Sequence, residues 1–167
     1  MKVYKLARSY LAIMTLLFMP VSGFAASAVS TINVSVTHSL SITNVSALEF
    51  GSISVSSTAG TVVIGTDGMR FSTGGVTINP SGNYTPAKFY IEGKPNANFS
   101  IKLPNTVELR DGYGNTITVD HFNASVESGT LDARGVLEFK VGGQINLDPN
   151  QSTGEYSGTM VVELNYS

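Results

Sequence analysis

From Ile32 onward the chain consists of short runs of alternating apolar and polar residues, and no stretch of ten or more residues there has helical spacing. Alternation with a period of two places every second side chain on one face of an extended strand. The pattern therefore admits strands with one buried face and argues against amphipathic helices. Ile32, Val34, Val36, Leu40 and Ile42 share one phase, interrupted at His38, with Asn, Ser and Thr at most positions between. The same reading predicts further strands at 48–53, 61–64, 70–71, 76–78, 87–92, 98–103, 106–109, 116–122, 136–141, 145–147 and 156–166. Turn-forming clusters separate many of them, among them Thr66-Asp67-Gly68, Asn79-Pro80-Ser81-Gly82-Asn83, Gly93-Lys94-Pro95-Asn96, Asp111-Gly112-Tyr113-Gly114-Asn115 and Asp148-Pro149-Asn150. Many short strands punctuated in this way predict one all-β domain, an antiparallel sandwich or barrel.

The first residues follow a different rule. Lys2, Lys5 and Arg8 precede an apolar run at 11–21, and small residues follow through Ala28. This order reads as a cleaved secretory signal over residues 1–25, with cleavage after Ala25 or Ala28, and the run is too short to span a bilayer. The signal takes three of the 10 Lys and Arg, which leaves seven against all 12 acids and a mature net charge of −5. A chain without a basic footprint is not a nucleic-acid binder. The absence of Cys removes disulfides, thiolate catalysis and Cys-ligated zinc together.

A search for chemistry returns little. No H-E-x-x-H, G-x-S-x-G or G-x-x-x-x-G-K-[ST] occurs. The Asp111–Asn115 loop lacks the spacing and final Glu of a calcium loop, so it reads as a hairpin turn. Asp120 and His121 are neighbours on a predicted strand and should point to opposite faces, which predicts an exposed His121 without a direct Asp120 contact. Glu92, Glu108, Glu138 and Glu163 read as solvent-side strand residues. No catalytic residue, cofactor or metal ligand is expected. Two alternative classes remain: a secreted monomeric carbohydrate-binding or adhesion module, for which Tyr84, Tyr90 and Tyr113 near turns are the candidate contacts, and a small secreted hydrolase, which would need clustered acids.

The two ends of the mature chain carry the strongest pattern. Tyr156, Gly158, Met160, Val162, Leu164 and Tyr166 occupy one phase, and Ser157, Thr159, Val161, Glu163 and Asn165 the other. Uncharged alternating strands at chain ends recruit further strands unless they are blunted, and Glu163 is the only charge in either segment. Either the two ends pair with each other inside one complete sandwich, or one end serves a neighbouring molecule.

The C-terminal spacing resembles that of bacterial pilins assembled by the chaperone–usher route. Those subunits carry a penultimate aromatic residue, apolar residues fourth, sixth and eighth from the end, and Gly fourteenth from the end. Here the positions are Tyr166, Leu164, Val162, Met160 and Gly154. The apolar extension at Ile32, Val34 and Val36 is similar to a pilin N-terminus, and the lack of Cys suits the cysteine-free, α-type branch. The resemblance implies an immunoglobulin-like β-sandwich over 39–167, incomplete on its own and completed by donor-strand exchange, with a donor-strand extension at 26–38. Ile32, Val34 and Val36 would be the donor residues; Gly154, Tyr156, Gly158, Met160, Val162, Leu164 and Tyr166 would line the groove and the strand that a chaperone contacts. It further implies identical or related subunits, a periplasmic chaperone, an outer-membrane usher and a surface receptor as partners, and a fibre at the cell surface. Leu48-Glu-Phe-Gly51, Gly74-Gly-Val76, Pro86-Ala-Lys-Phe89, Val141-Gly-Gly143 and Asn150-Gln-Ser-Thr-Gly154-Glu-Tyr156 resemble a family of secreted bacterial domains without a known function.

Overall fold

A computed structural model describes Val34 and residues 38–167. The region 38–167 is all β, with no helix among the described residues. Ten strands follow one another: β1 Ser41–Ser46, β2 Ile53–Ile64, β3 Arg70–Ile78, β4 Ala87–Glu92, β5 Asn98–Lys102, β6 Val107–Arg110, β7 Thr116–Ala124, β8 Ser128–Thr130, β9 Val136–Leu147 and β10 Glu163–Tyr166. All pairings are antiparallel. One seven-stranded sheet runs β1-β4-β9-β2-β3, with the β6–β7 hairpin joined to it through β7 and β9, and a three-stranded sheet runs β10-β5-β8. The architecture is an antiparallel two-sheet sandwich, as the alternation predicted.

Strand β9 organises the larger sheet. Its residues 144–146 pair with β2 and also with β7, so these two lie on opposite edges of it. Val141 pairs with Ala87 of β4 and Ala124 of β7, which places β4 on the same edge as β2. β4 and β2 therefore follow each other along one side of β9, and the changeover falls at Gly142-Gly143. Two apolar clusters result. Ala87, Phe89, Ile91, Phe99, Leu131, Phe139 and Val141 fill the space between the upper half of β9 and the three-stranded sheet. Val62, Val76, Ile117, Val119, Ile145 and Leu147 form the second cluster around its lower half. Phe122 packs against both. No polar side chain is buried among the described residues, so the core rests on apolar packing and main-chain pairing.

Several strand limits differ from the sequence reading. The segment 48–53 is not a strand: Glu49 makes a lone bridge with Thr85, and Gly51 has φ 74°, a left-handed conformation that ends extended structure. The expected pieces 70–71 and 76–78 are one strand, β3, and the pieces 136–141 and 145–147 are one strand, β9. Gly74, Gly75 and Gly142 lie where another backbone passes close by, and Gly143 lies against the Phe122 ring, so these glycines mark close approaches and not turns. β8 went unforeseen because Ser-Gly-Thr carries no apolar signal and is held by main-chain pairing to β5. The N-terminal strand begins at Ser41, and its phase is broken by a bulge between Asn44 and Ser46 that leaves Val45 exposed.

The centre of the first cluster is the stacked pair Phe89 and Phe139, with ring centroids 5.2 Å apart across β4 and β9. Phe139 is 1% exposed. Phe139→Ala removes the ring from a site that cannot collapse around the loss, and a cost of about 3–5 kcal/mol is expected in urea unfolding of the mature domain.

Candidate functional site

The C-terminal segment follows β6 and then β5 along the side of the sandwich. Ser157 and Arg110 form a two-way bridge, at 2.8 and 3.0 Å, and Glu163 to Tyr166 pair with Lys102 to Phe99. Between these anchor points, residues 158–162 make no backbone hydrogen bond among the described residues. The opposing stretch from Leu103 to Leu109 is longer by two residues and contains Pro104, whose ring removes a donor, so the two chains lose register there. The expected continuous strand over 156–166 is therefore stitched at both ends and open in the middle.

The side-chain phase is as expected. Met160, Val162 and Leu164 are half-buried and pack on the first apolar cluster, while Tyr156 packs on the second. Val161, on the other phase, is 64% exposed. Tyr156 also ties the preceding loop, donating to the Ser152 carbonyl at 2.7 Å and accepting from Gln151 Nε2 at 3.1 Å. Tyr166 accepts the Lys94 amide at 2.9 Å. Gly154 is exposed, and a Cβ there would make only ordinary contacts, with Asp111 at 3.4 Å and the Tyr156 ring at 3.8 Å. Gly158 is different: a Cβ would lie 2.7 Å from the Glu108 carbonyl oxygen and 2.8 Å from Leu109 Cδ2.

β10 is the outer strand of its sheet and β1 the outer strand of the larger one. The strands beside them, β4 and β5, are consecutive and joined by the turn at Gly93, so β1 and β10 border the same side of the sandwich. A Cβ on Gly93 would touch both Leu40 Cδ1 and the Tyr166 hydroxyl. Leu40 and Ile42 pack on the same apolar cluster as Met160, Val162 and Leu164. β1 and β10 are not paired with each other, so this apolar cluster is bordered by two strand edges without an outer partner among the described residues, and the strip between them is the candidate cleft. At about 3.3 Å per residue, 158–166 offers roughly 30 Å of strand edge. Of the expected donor residues, Val34 is 81% exposed, and Ile32 and Val36 lie outside the described residues.

The remaining candidates sit elsewhere. Asp120 and His121 do touch, at 2.7 Å between Oδ1 and Nδ1, contrary to the alternation argument. β7 carries a bulge between Asp120 and Asn123, and His121 has φ 47°, which turns its side chain back onto its neighbour. His121 is exposed, as expected. A recess of about 390 Å³ beside it is bordered by Pro104, Asn105, Thr106 and Phe122. Glu138, Glu163 and Glu108 form exposed ion pairs with Lys88, Lys102 and Arg110. The face of Tyr84 is covered by the Arg70 guanidinium, 4.2 Å from the ring centroid, and Tyr90 is half-buried in β4. Tyr113 stands 93% exposed at the tip of the β6–β7 hairpin.

That hairpin tip is rigidly tied. Asp111 accepts from the Asn115 side-chain amide at 2.7 Å and from the Tyr113 and Asn115 backbone amides at 2.9 and 2.8 Å. The Asn115 amide, helped by these N–H groups, holds the Asp111 carboxyl below its usual value of 3.8.

A family model described as a domain of unknown function, DUF4402, matches residues 40–166. The chain belongs to the DUF4402 family. Comparison with curated proteins gives no match, and comparison with solved structures gives none. The matched span covers the whole sandwich of this DUF4402 domain, from Leu40 at the cleft mouth to Tyr166 on β10.

Two measurements check this geometry. Gly158→Ala forces the C-terminal segment off β6 and should cost about 1–3 kcal/mol in a denaturant titration. Because the folded Asp111 carboxyl is lowered, its contribution is complete above the ordinary carboxylate range and fades as pH falls through the lowered value. The stability difference between the natural domain and Asp111→Asn should be constant from about pH 7 to 5 and shrink below about pH 4, read from thermal melts.

Proposed function

We propose that this domain is a structural subunit of an extracellular fibre that polymerises by strand donation. Ile32, Val34 and Val36 of one copy enter the cleft between β1 and β10 of the next. The observation that carries the reading is the edge of β10, without a partner among the described residues, above a row of half-buried apolar side chains, Met160, Val162 and Leu164. An added strand would supply partners for the main chain of 158–162 and cover that row, which is recognition by β-augmentation. Burial of three donor side chains contributes about 5–8 kcal/mol before the cost of ordering the segment. Donor and acceptor are different surfaces of one molecule, so the contact does not close on itself and propagates linearly.

The reading entails export before assembly. A periplasmic chaperone occupies the cleft until a donor replaces it, an outer-membrane usher passes the subunits outward, and the pilin-like C-terminal spacing is the sequence feature behind both partners. Removal of residues 1–25 by cleavage after Ala25, or of 1–28 by cleavage after Ala28, leaves the donor segment at the new N-terminus.

Val34→Asp tests the proposal. A carboxylate cannot be carried unpaired into an apolar cleft, so the donor should fail while the acceptor body stays intact. The expected outcome is loss of the detergent-resistant, heat-labile ladder, with the melting temperature of the isolated subunit changed by less than about 2 °C. A variant that loses subunit stability and keeps no separate assembly defect would show instead that the segment completes its own sandwich.

A further inference from the structure

The β6–β7 hairpin and the start of β1 lie at opposite ends of the sandwich. Glu92, the last residue of β4, pairs with Val136, the first residue of β9. Thr118, near the start of β7, pairs with Asn146, the penultimate residue of β9. Strand β9 is 12 residues long, or about 40 Å, and it separates the two ends. At the first end Leu40, Gly93 and Tyr166 meet. At the second end Tyr113 projects from its tied turn, beside the point where residues 157–158 enter the cleft edge.

We infer that Tyr113 is a contact between successive subunits, seated on the Lys94–Asn96 turn at the opposite end of the next copy. This rests on the strand-donation reading. A donor segment that leaves one copy beside Leu40 and enters the next at its hairpin end brings these two ends together. It then runs antiparallel to β10, because β10 runs from the hairpin end toward Lys94. Tyr113 has the properties of an interface anchor: it is an aromatic side chain with few rotatable bonds, and Asp111 has already fixed the backbone below it, so little further order is lost on contact. The receiving end offers exposed Lys94, a cation suited to the face of a tyrosine ring, beside the Arg134–Asp132 ion pair.

The chain has no Cys, so engineered thiols report single contacts. Fibres carrying Tyr113→Cys and Lys94→Cys are treated with a short flexible bis-maleimide and run under denaturing conditions. A second preparation carries Ser35→Cys and Val161→Cys, which lie on the solvent phases of the donor and of the cleft edge. The expected result is a covalent ladder from both pairs and none from Tyr113→Cys or Lys94→Cys alone. A ladder from the Ser35/Val161 pair only overturns the Tyr113 contact and leaves strand donation standing. A ladder from the Tyr113/Lys94 pair only supports the end contact and overturns donation. No ladder from either overturns both.

Discussion

Everything in this sandwich depends on the twelve-residue strand β9, paired on one edge first with β4 and then with β2, and on the other with β7 within residues 141–146. Its upper half lines one cluster through Phe139 and Val141, and its lower half lines the other through Ile145 and Leu147. With no buried polar network and no disulfide among the described residues, β9 is what holds the two clusters in one unit. A strand in that position needs apolar residues on alternate positions and a point where the neighbouring strand can change. Val141-Gly142-Gly143 supplies both within three residues.

The same logic explains why the functional interest lies at the margin. An interior strand such as β9 has its main-chain groups satisfied inside the fold, whereas an outer strand presents a row of donors and acceptors to whatever arrives. β10 is such a strand, and the gap in pairing at 158–162 extends its open edge into the apolar row beneath it. Charge does not guard it: Glu163, the one acid in the segment, is held by Lys102 at 3.1 Å.

What alternation encodes was legible in the sequence. Phe89, Ile91, Phe139, Val141, Ile145 and Leu147 were all placed in predicted strands, and Met160, Val162 and Leu164 were given the phase that faces the core. Alternation records burial directly, so side-chain facing can be read residue by residue. Pairing is a different matter, since it joins main chains that carry no residue-specific mark. The three-residue β8, the fusion of two pieces into β9 and the open stretch at 158–162 all follow from which backbone lies beside which. Asp120 and His121 failed for a related reason: the bulge that turns them together is set by register against β9.

The position of β9 in the chain also governs the order of assembly. Before β9 begins at Val136, only the pairs β2–β3, β6–β7, β1–β4 and β5–β8 can form, and none of them encloses a core. β5 receives its second neighbour only with residues 163–166. Contacts of such large sequence separation are slow to find, because the loop must close before any of them contributes stability. A polypeptide threaded N-terminus first through a membrane would therefore spend most of its passage as exposed hairpins. The interval between arrival and burial of those apolar faces is when this sequence is most prone to stick to itself.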